Sequence, residues 1–388
     1  MKTKIILFVG MVCGVVLNTS AQKMAIKDLP VIAEKKSELI VADLSKAKRD
    51  VILPLSEFVE ELQILKLDDA EEALVKESFV KIGDKYILVR GSQSIPCKLF
   101  DRKTGKFVCN VGSYGQGPGE YQNLYDMQLD ELNDRIYLLP WNAKAILAYD
   151  LKGKLTSSIP LCFGAPKGRM SVDWKKNEVT MAVVPFQGIK AVVWTQTLDG
   201  KVIKSIAPGH LEVVPDFSNE VSGGRIGNDF SMYILFYPER ADSVYHYNTK
   251  VNKLDPVFTL KYKNEPPIHG LNEMKRYFMG NLAERHQIDE YSATVKNMTY
   301  FLVDKTTLKG SFFTLVNDYL GDLEIDWPNY KFEDEYFALN MDPGNLSEQL
   351  EKALENKKLS ADMKKKLQKL KDSISDNDNN YILYAKCR

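Results

Sequence analysis

Asp101, Asp150, Asp199 and Asn248 recur at intervals of 49 residues, each at the same place in a repeated phrase. The phrase reads Leu-Phe-Asp-Arg-Lys-Thr-Gly-Lys at 99–106, Ala-Tyr-Asp-Leu-Lys-Gly-Lys at 148–154, Thr-Leu-Asp-Gly-Lys at 197–201 and His-Tyr-Asn-Thr-Lys at 246–250. An apolar or aromatic strand end followed by Asp or Asn and then Gly-Lys is a hairpin turn. The Asx side chain bonds the nearby backbone, and Gly supplies the positive φ. A fixed period of this length with strand-turn chemistry marks the blades of a β-propeller.

Each repeat unpacks into four short strands, a to d. The second strands are the most recognisable, being rich in β-branched and aromatic residues. They read as Lys85–Val89, Arg135–Leu139, Glu178–Val184, Ser231–Phe236, Thr299–Asp304 and Glu335–Met341, which makes six. After Asn248 the next matching strand end is at Asp318, well beyond one period. The surplus reads as a helix over 271–287, where Leu271, Met274, Phe278 and Leu282 recur at helical spacing. A second surplus, 346–374, reads as a helical hairpin. Its stripes are Leu346, Leu350, Ala353, Leu354 and Met363, Leu367, Leu370, Ile374, with Ser360 as N-cap. Strand c of the sixth unit then begins at Tyr381, and no fourth strand follows it. The alternating segment Leu62–Leu67 is expected to supply that strand and close the ring, which removes exposed sheet edges. The expected fold is therefore all-β, a six-bladed β-propeller closed by an N-terminal strand, with helical insertions at about 271–287 and 346–374.

Segment 1–21 has the form of a secretory signal: Lys2 and Lys4, an apolar run Ile5–Leu17, then Thr19-Ser20-Ala21. That run is too short to span a bilayer, which needs about 20 apolar residues. Val12 before Cys13 departs from the small residue of a lipoprotein box, so a soluble exported protein is expected, periplasmic or associated with the cell surface. The chain divides as signal peptide 1–21, N-terminal extension 22–54 and propeller 55–388. Without the signal, 50 basic residues stand against 52 acidic ones, a net charge of −2. That excludes the basic face of a nucleic-acid binder. Cys97, Cys109, Cys162 and Cys387 show no metal spacing. They read as small buried side chains, with a Cys97–Cys109 bridge across one hairpin as the alternative.

The run Asp101–Tyr121, ending in Gly115-Gln116-Gly117-Pro118-Gly119-Glu120-Tyr121, adds to this. It resembles the glycine-rich signature of a secreted six-bladed β-propeller family of Bacteroidetes, related to NHL-repeat propellers. Leu55–Glu60 followed by Leu62–Leu67 is similar to that family's entry segment, and Asn380–Lys386 to its closing strand. The resemblance covers roughly 55–388. It implies the fold and export, and names no activity; the hairpin at 346–374 departs from the family pattern.

Connectivity places the Asp-Gly-Lys turns on one face of the ring. The b–c loops and d–a crossings, which carry the glycine-rich loop and both expected insertions, fall on the other. Elaborated loops on a rigid scaffold are where binding resides. The residues just after the b strands should ring the mouth of the channel: Arg90, Trp141, Phe186, Tyr237 and Asp304. The aromatic ones can stack on a sugar or grip a peptide, and Asn142, Gln187, Glu239 and Arg240 can add polar contacts. The structural alternative is that these aromatics pack between blades. The glycine-rich loop can bring backbone amides to an anion or simply make a tight crossing, with Tyr121 plugging the next blade.

Catalytic signatures are poor. His210, His246, His269 and His286 form no metal motif, and there is no nucleophile elbow. His246 reads as packing, and His269 and His286 as flanking the 271–287 insertion. No cofactor is expected; calcium is the one ion left open, with Asp304 and Glu239 as the acids to hold it. The function expected is a non-catalytic binding module for a glycan, peptide or envelope protein. The alternatives are a calcium-dependent channel hydrolase or lyase, and a structural subunit of an envelope complex.

Overall fold

The computed structural model describes residues 22–92, 94–288, 293–326, 331–333 and 335–388. The expected signal segment lies outside them. Five antiparallel four-stranded meanders follow one another along the chain in a β-propeller arrangement. Blade 1 runs Val80–Ile82, Tyr86–Val89, Cys97–Asp101, Phe107–Val111. Blade 2 runs Leu124–Asp130, Arg135–Pro140, Ala143–Tyr149, Leu155–Ala165. Blade 3 runs Arg169–Asp173, Glu178–Ala182, Val193–Thr197, Val202–Ile206. Blade 4 runs Glu220–Ile226, Asp229–Leu235, Ser243–Asn248, Lys253–Leu260. Blade 5 runs Ile268–Glu273, Tyr277–Gln287, Ala293–Asp304, Gly310–Asn317.

The last sheet is built differently. Phe332–Glu333, Tyr336–Met341 and Tyr381–Lys386 are joined by Gln63–Lys66 from the other end of the chain, with Tyr381 opposite Lys66 and Tyr384 opposite Gln63. Its innermost strand is two residues long. Among the described residues the regular blades therefore number five, where the b strands alone suggested six equivalent units. That reading had also taken Thr299–Asp304 as a b strand; it is the end of strand c of blade 5.

The segment 271–287 corrects a second expectation, because it is a β-hairpin in which Glu273 faces Phe278 and Leu271 faces Gly280. Tyr277, Phe278, Met279 and Asn281 are all buried, so the strand is covered on both faces. A strand buried on both faces reads as a continuous apolar run, and helical spacing can be drawn through it by chance. The hairpin at 346–374 does form helices, α1 (Pro343–Leu354) and α2 (Ala361–Asp372). Asp342 caps α1 by accepting the Asn345 N–H at 2.9 Å, and Ser360 caps α2 by accepting that of Met363 at 3.2 Å. Leu346, Leu350, Ala353 and Leu367 close over Tyr381 and Leu383 of the composite sheet.

The N-terminal extension covers outer edges. The hairpin Ala33–Lys36 and Leu39–Ala42 adds to the last strand of blade 4, with Ile40 beside Phe258. Val51–Pro54 adds to that of blade 5, and Gln22–Lys23 pairs beyond it. Covered edges offer no template for another chain. Seams between blades are apolar: Trp194 and Tyr137 are fully buried between blades 2 and 3, and Phe258 stacks on Phe278 at 4.2 Å between blades 4 and 5.

The repeated turns work as their chemistry dictates. Asp101 Oδ1 accepts the N–H of Lys103 (3.1 Å) and Thr104 (2.8 Å), and Asn248 Oδ1 those of Lys250 (3.0 Å) and Val251 (3.3 Å). Asp304 belongs to this series, accepting Thr306 N–H at 2.9 Å and Thr307 N–H at 2.8 Å. The phrase that follows Asn248 thus resumes at Asp304, and Asp318 starts a short 3₁₀ turn instead. The turn glycines also meet the preceding blade. Gly153 has φ 77°, and a Cβ there would stand 1.9 Å from the Asn110 carbonyl oxygen. Gly153→Ala is therefore expected to cost about 2–4 kcal/mol, from left-handed strain and overpacking together. Denaturant unfolding checks this; an unchanged midpoint would show that the blade 1–2 junction yields freely.

Candidate functional site

The a strands of all five blades and of the composite sheet face a central channel of about 830 Å³. Where the composite sheet's inner strand is only two residues long, a side chamber of about 520 Å³ opens between it and blade 1. The two spaces adjoin across Phe79, Lys81, Ile82, Glu333 and Tyr336, which line both. Cavities of a few hundred to a thousand Å³ are the size that holds small ligands. The chamber adds Lys331, whose ammonium burial pushes below its usual range while Glu77 and Asp326 oppose that shift.

The end where b–c loops and d–a crossings lie carries its own group of charged side chains. Arg90 follows strand b of blade 1 and donates Nη2 to the Leu124 carbonyl. Arg169 opens strand a of blade 3, donating Nε to the Val221 carbonyl at 3.0 Å and Nη1 to that of Tyr125. Burial and the proximity of Arg169 hold the Arg90 guanidinium below its ordinary pKa. Asp126 accepts the N–H of Met170 at 2.8 Å and of Met127 at 2.9 Å; burial pushes its carboxyl up, against the pull of Arg169. Glu220 pairs with Lys167, whose ammonium also binds the carbonyls of Phe217 and of Asn219 (2.9 Å). Tyr125 bonds Glu220, and its hydroxyl is pushed up to about 12 by burial first and that carboxylate second.

The residues expected to ring the mouth divide. Arg90 lines the channel. Trp141 stands in the b–c turn of blade 2, outside the channel lining, its ring 6.0 Å from that of Phe217, and Asn142 beside it takes φ 49° to make the turn. Phe186 packs on the core between blades 3 and 4, and Gln187 gives its N–H to the Val213 carbonyl. Tyr237, Glu239 and Arg240 form a cluster of their own in the b–c loop of blade 4. Arg285 covers the Tyr237 ring at 4.6 Å and pairs with Glu239, while Arg240 lies over Phe236 at 3.4 Å. Asp304 is the clear misplacement: it is fully buried in a c–d turn on the opposite face, where Arg276 Nε reaches it at 2.9 Å. With its carboxylate bound to two backbone N–H groups and a guanidinium, Asp304 is no calcium ligand. Among the described residues no three His, Cys, Asp or Glu side chains gather as a metal site.

The far end of the channel holds a cluster that no sequence motif announces. Glu273, at the foot of blade 5's inner strand, accepts from His246 Nε2 at 2.7 Å, Lys305 Nζ at 2.6 Å and the Ser231 hydroxyl. Burial raises its pKa, but His246 and Lys305 together bring it below the usual carboxylate value. Ser231 bonds the carboxylate and not the imidazole, and the arrangement ties blade 4 to blade 5. His269 and His286 lie on strands of blade 5, not beside a helix.

The glycine-rich loop forms a small parallel ribbon, Ser113 beside Glu120 and Tyr114 beside Tyr121. Glu120 folds back to accept the Gly117 N–H at 2.8 Å. Gln116, Gly115 and Pro118 complete this turn, and Gly119 takes φ 76° to leave it. The Tyr121 hydroxyl accepts the Cys97 N–H at 2.7 Å and donates to the Val111 carbonyl at 2.8 Å. Cys97 lies opposite Val111, and Cys109 opposite Leu99; both thiols are free, as are Cys162 and Cys387.

Asp126, Arg169 and Glu220 lie on inner strands, away from the b-strand ends that were expected to mark the mouth, and so were missed. Their signal was present as charged residues interrupting apolar strand patterns. Among the described residues no helix is long and apolar enough to cross a membrane.

The fold is that of a "putative exported protein" of Bacteroides fragilis, at 15% identity and TM-score 0.58, over 84% of this chain and 95% of that one. A member of the DUF4221 family from Bacteroides vulgatus matches at 11% identity and TM-score 0.46, over 84% of this chain and 96% of that one. No functionally curated protein matches. The model of the family described as "Domain of unknown function (DUF4934)" matches residues 39–386, and the chain belongs to that family.

Proposed function

We propose that the protein is an exported, non-catalytic binding module whose ligand enters the channel from the loop-bearing face. The observation that carries this is the central channel, whose loop-bearing end holds arginines anchored on backbone carbonyls. Such anchoring pre-organises a recognition surface without the base–nucleophile geometry that catalysis needs. In this reading the composite sheet takes a sixth place in the ring, closed by Gln63–Lys66. Residues 55–388 then form one propeller, with 22–54 as an outer brace. Export is supported by the signal-like segment 1–21 and by the Bacteroides fragilis neighbour. Arg90 and Trp141 are the binding residues retained from the sequence, and Tyr237, Glu239 and Arg240 extend the same face. The ligand is a glycan, a peptide or a segment of an envelope protein.

A channel-blocking substitution tests it. Gly224 lines the channel, and a Cβ built there meets nothing within 4 Å. Gly224→Trp is expected to fill the passage without lowering the melting temperature. Residues 22–388 of wild type and variant are screened on glycan and peptide arrays. Hits lost in Gly224→Trp place the ligand in the channel; hits retained at full strength overturn that placement.

A further inference from the structure

We infer, resting on the channel reading above, that the ligand is an acidic oligosaccharide whose carboxylate is read by Arg90 and Arg169. Both guanidiniums line the channel, and neither makes an ion pair among the described residues. They are held instead by the carbonyls of Leu124, Tyr125 and Val221, which fix their planes; the buried Asp126 carboxylate offsets part of the charge of the pair without bonding either guanidinium directly. The two nearby carboxylates direct their hydrogen bonds to other groups. Asp126 is bonded to backbone N–H groups, and Glu220 is held by Lys167 and Tyr125. Two arginines brought together in a partly buried space repel each other, and the planar fork of each fits a carboxylate. An anion placed between them relieves that repulsion.

An exposed aromatic pair on the same face argues for a sugar. Trp141 is 37% exposed and Phe217 73%, and their rings lie 6.0 Å apart at 45°. Both are fixed to the arginine end of the channel: Trp141 N–H bonds the Asn123 carbonyl at 2.8 Å, and Lys167 holds the Phe217 carbonyl together with Glu220. Open aromatic faces beside fixed charge suit a pyranose ring bearing a carboxylate. A peptide adding as a strand would need a free backbone edge. Beside the arginines that edge is taken: Gln128 bonds both the N–H and the carbonyl of Val172 at 2.8 Å, and Asp126 takes the N–H of Met170.

The test is calorimetric titration of residues 22–388 with a galacturonate tetramer, its fully methyl-esterified form, and a glutamate-rich peptide. The tetramer is expected to bind, and the ester at least about tenfold more weakly, since charge-assisted bonds are lost with the charge. Arg90→Gln and Arg169→Gln are each expected to reduce tetramer affinity by about tenfold or more and ester affinity by clearly less, and Trp141→Ala to weaken both. The ester comparison uses the wild-type protein, so it stands even where an arginine variant folds poorly. Equal affinity for acid and ester, or no binding of the tetramer at millimolar concentration, overturns the inference. Peptide binding stronger than tetramer binding overturns the sugar assignment. If acid and ester bind alike and Gly224→Trp abolishes both, the carboxylate claim fails while the channel reading survives; binding that persists in Gly224→Trp removes the channel reading itself.

Discussion

Glu273→Ala is expected to cost the fold about 3–5 kcal/mol at neutral pH, the usual penalty for removing one partner of a buried ion pair. The Glu273 side chain is 3% exposed, and it receives the Lys305 ammonium, the His246 imidazole and the Ser231 hydroxyl; Lys305 also reaches the Lys275 carbonyl at 3.3 Å. Alanine removes the strongest acceptor of all three at the partly buried junction of blades 4 and 5. Glu273→Gln keeps an acceptor for Ser231 but removes the charge, and an intermediate loss is expected. The pH dependence follows from the direction of the shift. Burial raises the Glu273 pKa, but His246 and Lys305 outweigh it, so the folded value lies below the ordinary 4.5. A carboxyl so depressed stabilises the fold fully above pH 4.5, and the contribution fades as pH falls through the folded value. The gap between wild type and Glu273→Ala in guanidinium unfolding should be complete at pH 7 and shrink in acid. A gap that widens on acidification would mean that the cluster is held together by something other than this carboxylate.

How much of this was readable beforehand depends on how local the signal is. The turns at Asp101, Asp150 and Asn248 satisfy their own backbone within four residues, so their chemistry was legible, and so were the capped helices α1 and α2, whose stripes bury one face only. Blade 5 was not. Its second strand is covered on both sides, and a run such as Tyr277-Phe278-Met279 carries no period to separate strand from helix. Reading a helix there displaced the next strand by one place, which put Asp304 at the channel mouth when it sits in the turn opposite. The channel itself was hidden for a different reason. Asp126, Arg169 and Glu220 come from blades 2, 3 and 4, and what brings them together is the closure of the ring, a contact between residues about 44 to 53 positions apart. Arg90 was found because it follows a strong b strand, and its partner Arg169 was missed because it begins a strand instead of ending one.

The glycine-rich loop offers the second large effect. Tyr121→Ala is expected to cost about 3–5 kcal/mol, as aromatic truncations in a core do. Tyr121 is 6% exposed within the core shared by blades 1 and 2, and its hydroxyl spans Cys97 of strand c and Val111 of strand d. Tyr121→Phe keeps the packing and removes only that bridge, leaving the Cys97 N–H unpaired, for an expected loss of about 1–3 kcal/mol. Comparing the two separates the readings of the loop. If Gly115–Glu120 exists to bring Tyr121 into the core, both variants lose stability in that order and ligand affinity in the channel is unchanged in Tyr121→Phe. If the loop is itself part of the recognition surface, Tyr121→Phe weakens ligand binding by more than its loss of stability explains, because the released hydroxyl bridge frees the ribbon of residues 113–121 to shift. The first outcome is the one the geometry supports: Glu120 turns inward to bind the Gly117 N–H and the Ser113 hydroxyl, which uses the polar groups an incoming anion would need.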